Sequence, residues 1–256
     1  MKYKSLFLGL LLALPCAAQD VTLEDNTLTA LDVTYEFVRV EAGTFTMGVP
    51  SEYEQGDDRE KPAHQVTLTK DYYIGTTEVP QALWLAVMKN NPSTKRGLRY
   101  PVETVSWDDC QEFIARLNAI TGKQFRLPTE AEWEFAASGG NLSNGYLHSG
   151  SSECNDVAWN EANSEGSIHK VGTLEPNELG LYDMSGNVWE WCSDWFGPYT
   201  DAPQTDPTGA DGDEFRVNRG GGYDDDVFYT TVTTRSFLRP YLDCANLGLR
   251  LVFTAE

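Results

Sequence analysis

The sequence has 256 residues, of which 41% are hydrophobic and 12% aromatic, enough apolar material for one large domain or two small ones. Its 39 acidic residues outnumber 19 basic ones and give a formal net charge of −20. So acidic a chain is repelled by nucleic acid and by anionic membrane surfaces, and we predict no nucleic-acid partner. The 7 Trp, 12 Tyr and 11 Phe residues exclude a disordered chain, because so many aromatic rings need a core.

The first 18 residues have the pattern of a secretory signal. Two lysines precede an apolar run over residues 6–14, and the small residues Cys16, Ala17 and Ala18 follow. The run is too short to span a bilayer as a mature helix, and no later stretch is long and apolar enough to do so. We therefore predict cleavage after Ala18 and export to the periplasm or the extracellular space. Lipid modification of Cys16 is an alternative that Pro15 disfavours.

Alternating segments predict three short strands in the first third of the mature chain. Residues 35–40 and 44–47 alternate apolar and polar side chains, and a turn at 41–43 separates them. A polar loop covers residues 51–62. Residues 65–68 then place Val66 and Leu68 on one face of a third strand.

Capping residues and apolar stripes predict three helices. The first spans about residues 77–91, with a proline in its first turn and another at its end. The second helix begins at a capping box formed by Ser106 and Asp109, in which Asp replaces the usual Glu. This helix ends at a glycine. The third begins at a full capping box formed by Thr129 and Glu132, and a Gly-Gly pair ends it.

The chain changes character after the third helix. Residues 141–226 are rich in Gly, Asn, Asp, Ser, Pro and Trp, and we expect few regular elements there. Residues 247–253 again have the pattern of a strand. Short strands, separated helices and long loops together indicate an α+β fold, because they do not alternate as βαβ units.

Four of the five cysteines follow the predicted cleavage point, at positions 110, 154, 192 and 244. Four cysteines in an exported protein can form two disulfides in three connectivities. Some can equally be buried thiols, and Cys110 fits that alternative because it lies on the apolar stripe of the second helix. Neither the cysteines nor the three histidines have the spacing of a zinc site.

The densest segment of potential ligands covers residues 177–195. Two glycines permit tight turns, and Asp183 and Asn187 offer side-chain oxygens beside backbone carbonyls. Hard oxygen ligands on a tight loop suit calcium, although Asx turns explain the same polar residues. Trp189, Trp191 and Trp195 are large enough to anchor the surrounding loops.

The sequence resembles the formylglycine-generating enzyme family, also called the sulfatase-modifying factor domain. The motifs that carry this resemblance occur in the family's order and are GTFTMG at 43–48, PAHQV at 62–66, PVETVSW at 101–107, FRLPTEAEWE at 125–134, the segment 180–195, RGG at 219–221 and GLR at 248–250. The resemblance implies a loop-rich α+β domain related to the C-type lectin fold. It divides the chain into a signal peptide at 1–18, an N-terminal extension at 19–36 and the domain at 37–256.

The resemblance does not extend to the family's oxidase chemistry. Members that make formylglycine use a pair of copper-binding cysteines shortly after the Arg-Gly-Gly motif. Those two positions align with Asp225 and Thr230, and Gly222 replaces the usual Ser. Copper(I) selects soft thiolates, which neither a carboxylate nor a hydroxyl can replace. We therefore expect no copper and no formylglycine-generating activity.

The family's calcium site transfers better. By resemblance, Asp183 supplies a side-chain oxygen, and Met184, Gly186 and Val188 supply backbone carbonyls to one structural calcium ion. A second family site would begin at residues 163–164, but the loop after it is shortened and its acidic partner is missing. We therefore expect one calcium ion.

The remaining question is what a member without catalytic cysteines does. By resemblance, a cleft forms around the acidic and aromatic residues Tyr223, Asp224, Asp225, Asp226 and Tyr229, with Arg235 beside them. It could bind a peptide, glycan or protein ligand, which favours a binding or assembly module. A solvated acidic loop explains the same charges. The alternative function is an enzyme of different oxidative or maturation chemistry, in which Arg235, Arg239 and Arg250 steer an anionic group; ion pairing of these arginines is the simpler role.

Overall fold

The computed structural model describes residues 21–51, 56–212 and 214–255. The predicted signal peptide, residues 1–18, lies outside the described residues. The strands within them are β1 (Val21–Glu24), β2 (Thr27–Ala30), β3 (Val33–Val40), β4 (Gly43–Met47), β5 (His64–Leu68), β6 (Tyr72–Gly75), β7 (Ala158–Trp159), β8 (Ser185–Gly186), β9 (Trp189–Trp195), β10 (Gln204–Thr205), β11 (Arg216–Arg219), β12 (Arg235–Leu238), β13 (Leu247–Leu249) and β14 (Val252–Thr254). The helices are α1 (Gln81–Met88), α2 (Trp107–Thr121), α3 (Glu130–Ala137) and α4 (Cys154–Val157), with 3-10 turns at Asp58–Glu60, Gly140–Leu142 and Val227–Thr230.

Two sheets form most of the framework. The larger sheet is antiparallel and has the strand order β1-β2-β3-β6-β14. A four-stranded sheet has the order β12-β11-β9-β13, in which only β9 and β13 run parallel. Two smaller sheets have the orders β10-β5-β4 and β7-β8. The α+β fold class is confirmed, and among the described residues no helix is long and apolar enough to cross a bilayer.

The two capping boxes are confirmed. Ser106 accepts a hydrogen bond from the backbone N–H of Asp109, whose side chain accepts one from Ser106 in return. Thr129 and Glu132 make the same reciprocal pair at the start of α3. Each pair satisfies two backbone donors that a helix start leaves without partners, so the local sequence sets both boundaries.

The first helix is shorter than its predicted span. It begins after Pro80, which occupies the N-cap, and ends at Met88 because Lys89 adopts the left-handed conformation. The predicted strands at 44–47 and 65–68 each gain one residue at the N-terminal end. The predicted domain start at residue 37 lies within β3, and β1 and β2 extend the sheet to which β3 belongs.

The predicted single strand at 247–253 is two strands in two different sheets. β13 pairs in parallel with β9, whereas β14 pairs antiparallel with β6. The chain changes sheets at Arg250 and Leu251, both fully buried. Because both strands are apolar, hydrophobic patterning alone does not reveal the break between them.

The apolar core has two parts that share β9. One part contains Trp84 of α1, stacked on Phe113 of α2 with ring centroids 4.9 Å apart, together with Trp191 of β9. The other surrounds Trp133 of α3 and includes Cys192 of β9. This seven-residue strand lies inside the region where we expected few regular elements, and it positions the groups described next.

Candidate functional site

A cavity of about 250 Å³, called the cleft below, lies beside β11, β12 and the 3-10 turn at Val227–Thr230. Its lining includes Trp189, Asp225, Tyr229, Arg235, Cys244 and Asn246. The predicted residues 225, 229 and 235 therefore share one cavity, and residues 223, 224 and 226 are their neighbours in the chain.

Asp225 is held in place by the protein itself. Its Oδ2 accepts hydrogen bonds from the indole N–H of Trp189 at 2.7 Å and from the backbone N–H of Gly222 at 2.8 Å. Burial raises the pKa of this carboxyl above its usual range, and the two hydrogen bonds oppose that shift. Asp225 therefore ties β9 to the loop after β11, and only its other oxygen is available to a ligand.

The neighbouring acids also have structural partners. Asp224 Oδ1 accepts a hydrogen bond from Asn246 Nδ2 at 2.8 Å. Asp226 Oδ1 accepts one from the backbone N–H of Phe228 at 3.0 Å and caps the 3-10 turn. The Tyr223 carbonyl accepts one from Ser164 at 2.7 Å. Local hydrogen bonds thus order the acidic run, and Asp225 is its member that lines the cleft.

The three candidate arginines are committed to ion pairs. Arg235 makes a two-point contact with the Glu130 carboxylate at 2.7 and 2.6 Å. Arg250 pairs with Glu190, and Arg239 with Glu214. Arg235 lines the cleft, but its guanidinium also donates to two backbone carbonyls, so it braces the wall. Ion pairing is the role that the structure gives all three.

Thr230 is buried behind the cleft, next to a thiol. Its Oγ1 lies 3.4 Å from Cys154 Sγ and 3.3 Å from His148 Nδ1. Asn160 Nδ2 lies 3.3 Å from the same sulfur, and burial raises the pKa of the Cys154 thiol. The thiols at 110, 154, 192 and 244 are all free, so the described residues contain no disulfide. Cys110 and Cys192 are buried in the core, as the helical stripe predicts for Cys110.

Large apolar side chains are exposed on the two segments that flank the cleft. These side chains, called the rim below, are Val227, Phe228, Tyr229, Tyr241 and Leu242. Phe228 and Tyr241 are the most exposed of them, at 65% and 60%. Exposed apolar residues that cluster beside a concave surface are typical of interaction sites.

A pair of buried carboxyl groups lies at the predicted calcium loop. Asp183 has a φ of 57°, and its Oδ2 accepts a hydrogen bond from the backbone N–H of Gly172 at 2.7 Å. Glu78 Oε1 accepts one from Asn187 Nδ2 at 2.8 Å. The other oxygen of each carboxyl, Asp183 Oδ1 and Glu78 Oε2, is buried without a hydrogen-bond partner.

Burial is the largest cause of the raised pKa values of this pair. It raises the pKa of Glu78 well above its usual range, and the charge of Asp183 adds to that shift. Burial also raises the pKa of Asp183, while the hydrogen bonds with Gly172 and Glu78 oppose the shift. Two buried carboxyl groups in contact need either a shared proton or a bound cation. The orphaned oxygens therefore fit a cation. No group of three His, Cys, Asp or Glu side chains within the described part of the chain forms a metal cluster, so such an ion would also need carbonyls such as those of Met184, Gly186 and Val188.

Glu190 and Arg250 form a fully buried ion pair beside this centre. Arg250 Nη2 donates to Glu190 Oε1 at 2.6 Å and to the Tyr182 carbonyl at 2.9 Å, and Nη1 donates to the Gly75 carbonyl at 2.9 Å. The indole N–H of Trp133 donates to Glu190 Oε2 at 2.7 Å. These bonds satisfy both charged groups, and they connect β9, β6 and α3 beneath the loop 183–188.

A family model described as "Sulfatase-modifying factor enzyme 1-like domain" matches residues 25–255. The chain belongs to this family. The Chaperone protein LppX of Paenibacillus barcinonensis is 32% identical over 244 aligned positions, which cover 75% of this chain and 79% of that protein. The solved structure of Treponema denticola variable protein 1 is 32% identical, with a TM-score of 0.81, and the match covers 91% of this chain and all of that one.

The sulfatase-modifying-factor domain also matches a named enzyme. The Formylglycine-generating enzyme of Streptomyces coelicolor is 39% identical over 175 aligned positions, which cover 61% of this chain. The chain spans about half the length of that enzyme, 54%. The family and the fold are thus established, whereas the activity of one relative does not transfer by similarity alone.

Sequence reasoning did not single out several buried acids of this domain, among them Glu78, Glu130 and Glu190. Glu78 precedes the first helix, and Glu130 and Glu190 lie within recognised motifs, but no local pattern shows that they pair with Asp183, Arg235 and Arg250. Each partner is distant in the chain.

Proposed function

We propose that this sulfatase-modifying-factor domain is an exported binding or assembly module that holds a polypeptide ligand in the cleft, and that it does not generate formylglycine. The observation that carries the proposal is the rim: five large apolar side chains are exposed beside a cavity that is lined by Asp225, Arg59 and Arg235 and whose walls are fixed by hydrogen bonds. Such a combination offers apolar contact area at little ordering cost, and the other oxygen of Asp225 favours a basic residue in the ligand.

The similarity to a protein named as a chaperone supports this proposal. The alternative of a hard metal and an activated water in the cleft has less support, because Asp225 already holds Trp189 and Gly222 through one oxygen. Asp224 and Asp226 likewise hold Asn246 and Phe228. A polypeptide ligand needs no rearrangement of these bonds.

Replacing the rim residues Phe228 and Tyr241 with Asp should weaken ligand binding at least about tenfold, because exposed aromatic anchors commonly contribute 1–2 kcal/mol each. Ligands are selected from a random displayed-peptide library on the natural protein, and their Kd values are measured for both proteins by titration calorimetry. Leu31→Asp is the matched control, since Leu31 is 42% exposed in the turn between β2 and β3. Peptides that bind the rim variant as tightly as the natural protein contradict the proposal.

The purified mature protein should not convert the cysteine of a sulfatase-motif peptide to an aldehyde, even when copper is supplied. Asp225 and Thr230 lack the soft sulfur that copper(I) requires, and Cys154 and Cys244 occupy other positions. Mass spectrometry of the peptide detects the aldehyde directly, with a formylglycine-generating enzyme as the positive control. Aldehyde formation by this protein would show that another pair of groups supports the oxidation.

We also propose that one calcium ion binds at Asp183, Met184, Gly186 and Val188, where it supplies positive charge to the orphaned carboxylate oxygens. At a free calcium concentration a hundredfold above Kd, binding adds about 2.7 kcal/mol of stability, which is about 5–10 °C in Tm. Calorimetry of chelator-treated protein with and without calcium measures this shift. Asp183→Ala should abolish it, and Asp211→Ala, at an exposed carboxylate, should not. An unchanged Tm with millimolar calcium contradicts the proposal.

A further inference from the structure

A second cavity, of about 350 Å³, adjoins the cleft. Arg235 lines both cavities, and the second one opens between the start of α3, the end of β9 and the loop 197–210. We call it the Asp194 cavity. Much of its wall is apolar and includes Met47, Trp195, Pro198, Pro207 and Ala210. Its volume suits a small ligand or a single long side chain.

Asp194 lies in the wall of this cavity and is only 2% exposed. Its Oδ2 accepts hydrogen bonds from the backbone N–H of Glu130 at 3.0 Å and from Ser193 Oγ at 2.9 Å. Oδ1 accepts no hydrogen bond, and no cation forms a salt bridge with this carboxyl, as far as the described residues show. A buried carboxylate without an ion-pair partner is costly and favours a cation in contact with it.

Glu130, the other acid of the cavity, needs no further partner. Arg235 and Arg219 both donate to its carboxylate, and so does the hydroxyl of Tyr199 at 3.1 Å. Arg219 in turn pairs with Glu134, so the two arginines and two glutamates form a neutral cluster. Asp194 is therefore the acid of this cavity that has no direct counter-ion among the described residues.

We propose that the Asp194 cavity binds a primary alkylammonium group, with Asp194 Oδ1 as its anchor and the apolar wall around its hydrocarbon stem. A carboxylate can only accept hydrogen bonds, and an ammonium can only donate them. The bound cation also offsets the repulsion between Asp194 and Glu130. The group can belong to a free amine or to a lysine side chain of a polypeptide, and this inference goes beyond the function proposed for the cleft.

The charged groups around Asp194 set the pH dependence of this binding. Burial, followed by the charge of Glu130, raises the pKa of Asp194 to about 7, and Glu132 adds to the effect. Arg216 and Arg126 interact with it, and the basic side chains of Arg235 and His64 also line the cavity. Among the described residues none of these groups forms a salt bridge with Asp194. The ammonium prefers the ionised carboxylate, so affinity is full above pH 7 and falls about tenfold per pH unit below it. Binding at pH 5 should be roughly a hundredfold weaker than at pH 8.

Titration calorimetry and chemical-shift mapping with n-butylamine and with Nα-acetyl-lysine methylamide test the proposal at pH 8. n-Butylamine is expected to bind, n-butanol at least tenfold more weakly, and Asp194→Asn should remove this difference. Binding of the lysine derivative identifies a side-chain site, and binding of butylamine alone identifies a small-molecule site; either supports the proposal. Equal binding of butylamine and butanol, or no binding of either amine at millimolar concentration, overturns it.

Two further variants keep the test decisive. Thr200→Trp should fill the cavity and abolish binding while leaving the Asp194 carboxylate unchanged. This variant tests the proposal even if Asp194→Asn does not fold. Asp201→Asn, at an exposed position next to it, is the matched control and should bind normally. The rim variant Phe228→Asp/Tyr241→Asp should keep its amine binding, so that failure of the cleft proposal and failure of this one are distinguishable. Normal binding by Thr200→Trp contradicts the proposed location.

Discussion

Replacing Arg250 with Met should lower the free energy of unfolding by about 3–5 kcal/mol, because it leaves the Glu190 carboxylate buried without its counter-ion. Both side chains are 0% exposed, and Arg250 also donates to two backbone carbonyls that would lose their partner. The methionine fills much of the same volume, so lost packing contributes little to the effect. Urea denaturation with linear extrapolation measures the free energy.

The control for this substitution is a surface ion pair of the same chemistry. Arg39 pairs with Asp71, but its side chain is 53% exposed, so Arg39→Met should cost at most about 1 kcal/mol. A double variant, Glu190→Gln with Arg250→Met, should recover part of the loss because no buried charge remains. If the two single Met variants have equal stabilities, the Glu190–Arg250 pair does not hold the sheets together as described.

The sequence predicted correctly those elements whose determining residues lie close together in the chain. The capping boxes at Ser106 and Thr129 were confirmed because both partners in each lie within four consecutive residues. Cys110 was predicted to be core because its helical stripe is continuous, and it is fully buried. The family and the α+β class followed from motifs that are themselves local.

Long-range pairing is what the sequence could not show. Residues 247–253 have the pattern of one strand, and the break at Arg250 exists because that side chain pairs with Glu190, 60 residues earlier. Glu78 and Asp183 are 105 positions apart in the sequence, and their contact leaves no periodic trace. The Asp194 cavity was missed for the same reason, since its walls come from segments between Met47 and Arg235.

The candidate cleft residues were predicted together, but their roles were not. Position in the family motif placed residues 223–229 in one segment, and Asp225 and Tyr229 do line a cavity. That Asp225 holds an indole N–H depends on Trp189 in the neighbouring strand β9, which composition cannot indicate.

Gly186→Ala should lower the free energy of unfolding by roughly 2–5 kcal/mol, the sum of left-handed backbone strain and overpacking. Gly186 has a φ of +77°, and a Cβ atom there would lie 2.2 Å from the carbonyl oxygen of Trp159. That carbonyl belongs to β7, which pairs with β8, so the clash is with backbone that cannot move freely. Urea denaturation again measures the loss.

Gly180→Ala is a matched control for this clash, since Gly180 has a similar φ of +81° but no neighbouring heavy atom within 4 Å of the added Cβ. It should cost only the strain, about 1–2 kcal/mol. The difference between the free energies of unfolding of the two variants measures the cost of the clash between β8 and β7. The Gly186 carbonyl is also a proposed calcium ligand, so Gly186→Ala should reduce the calcium-dependent rise in Tm, whereas Gly180→Ala should retain it. Equal losses of stability in the two variants would show that β8 does not pack against β7 as tightly as the structure places it.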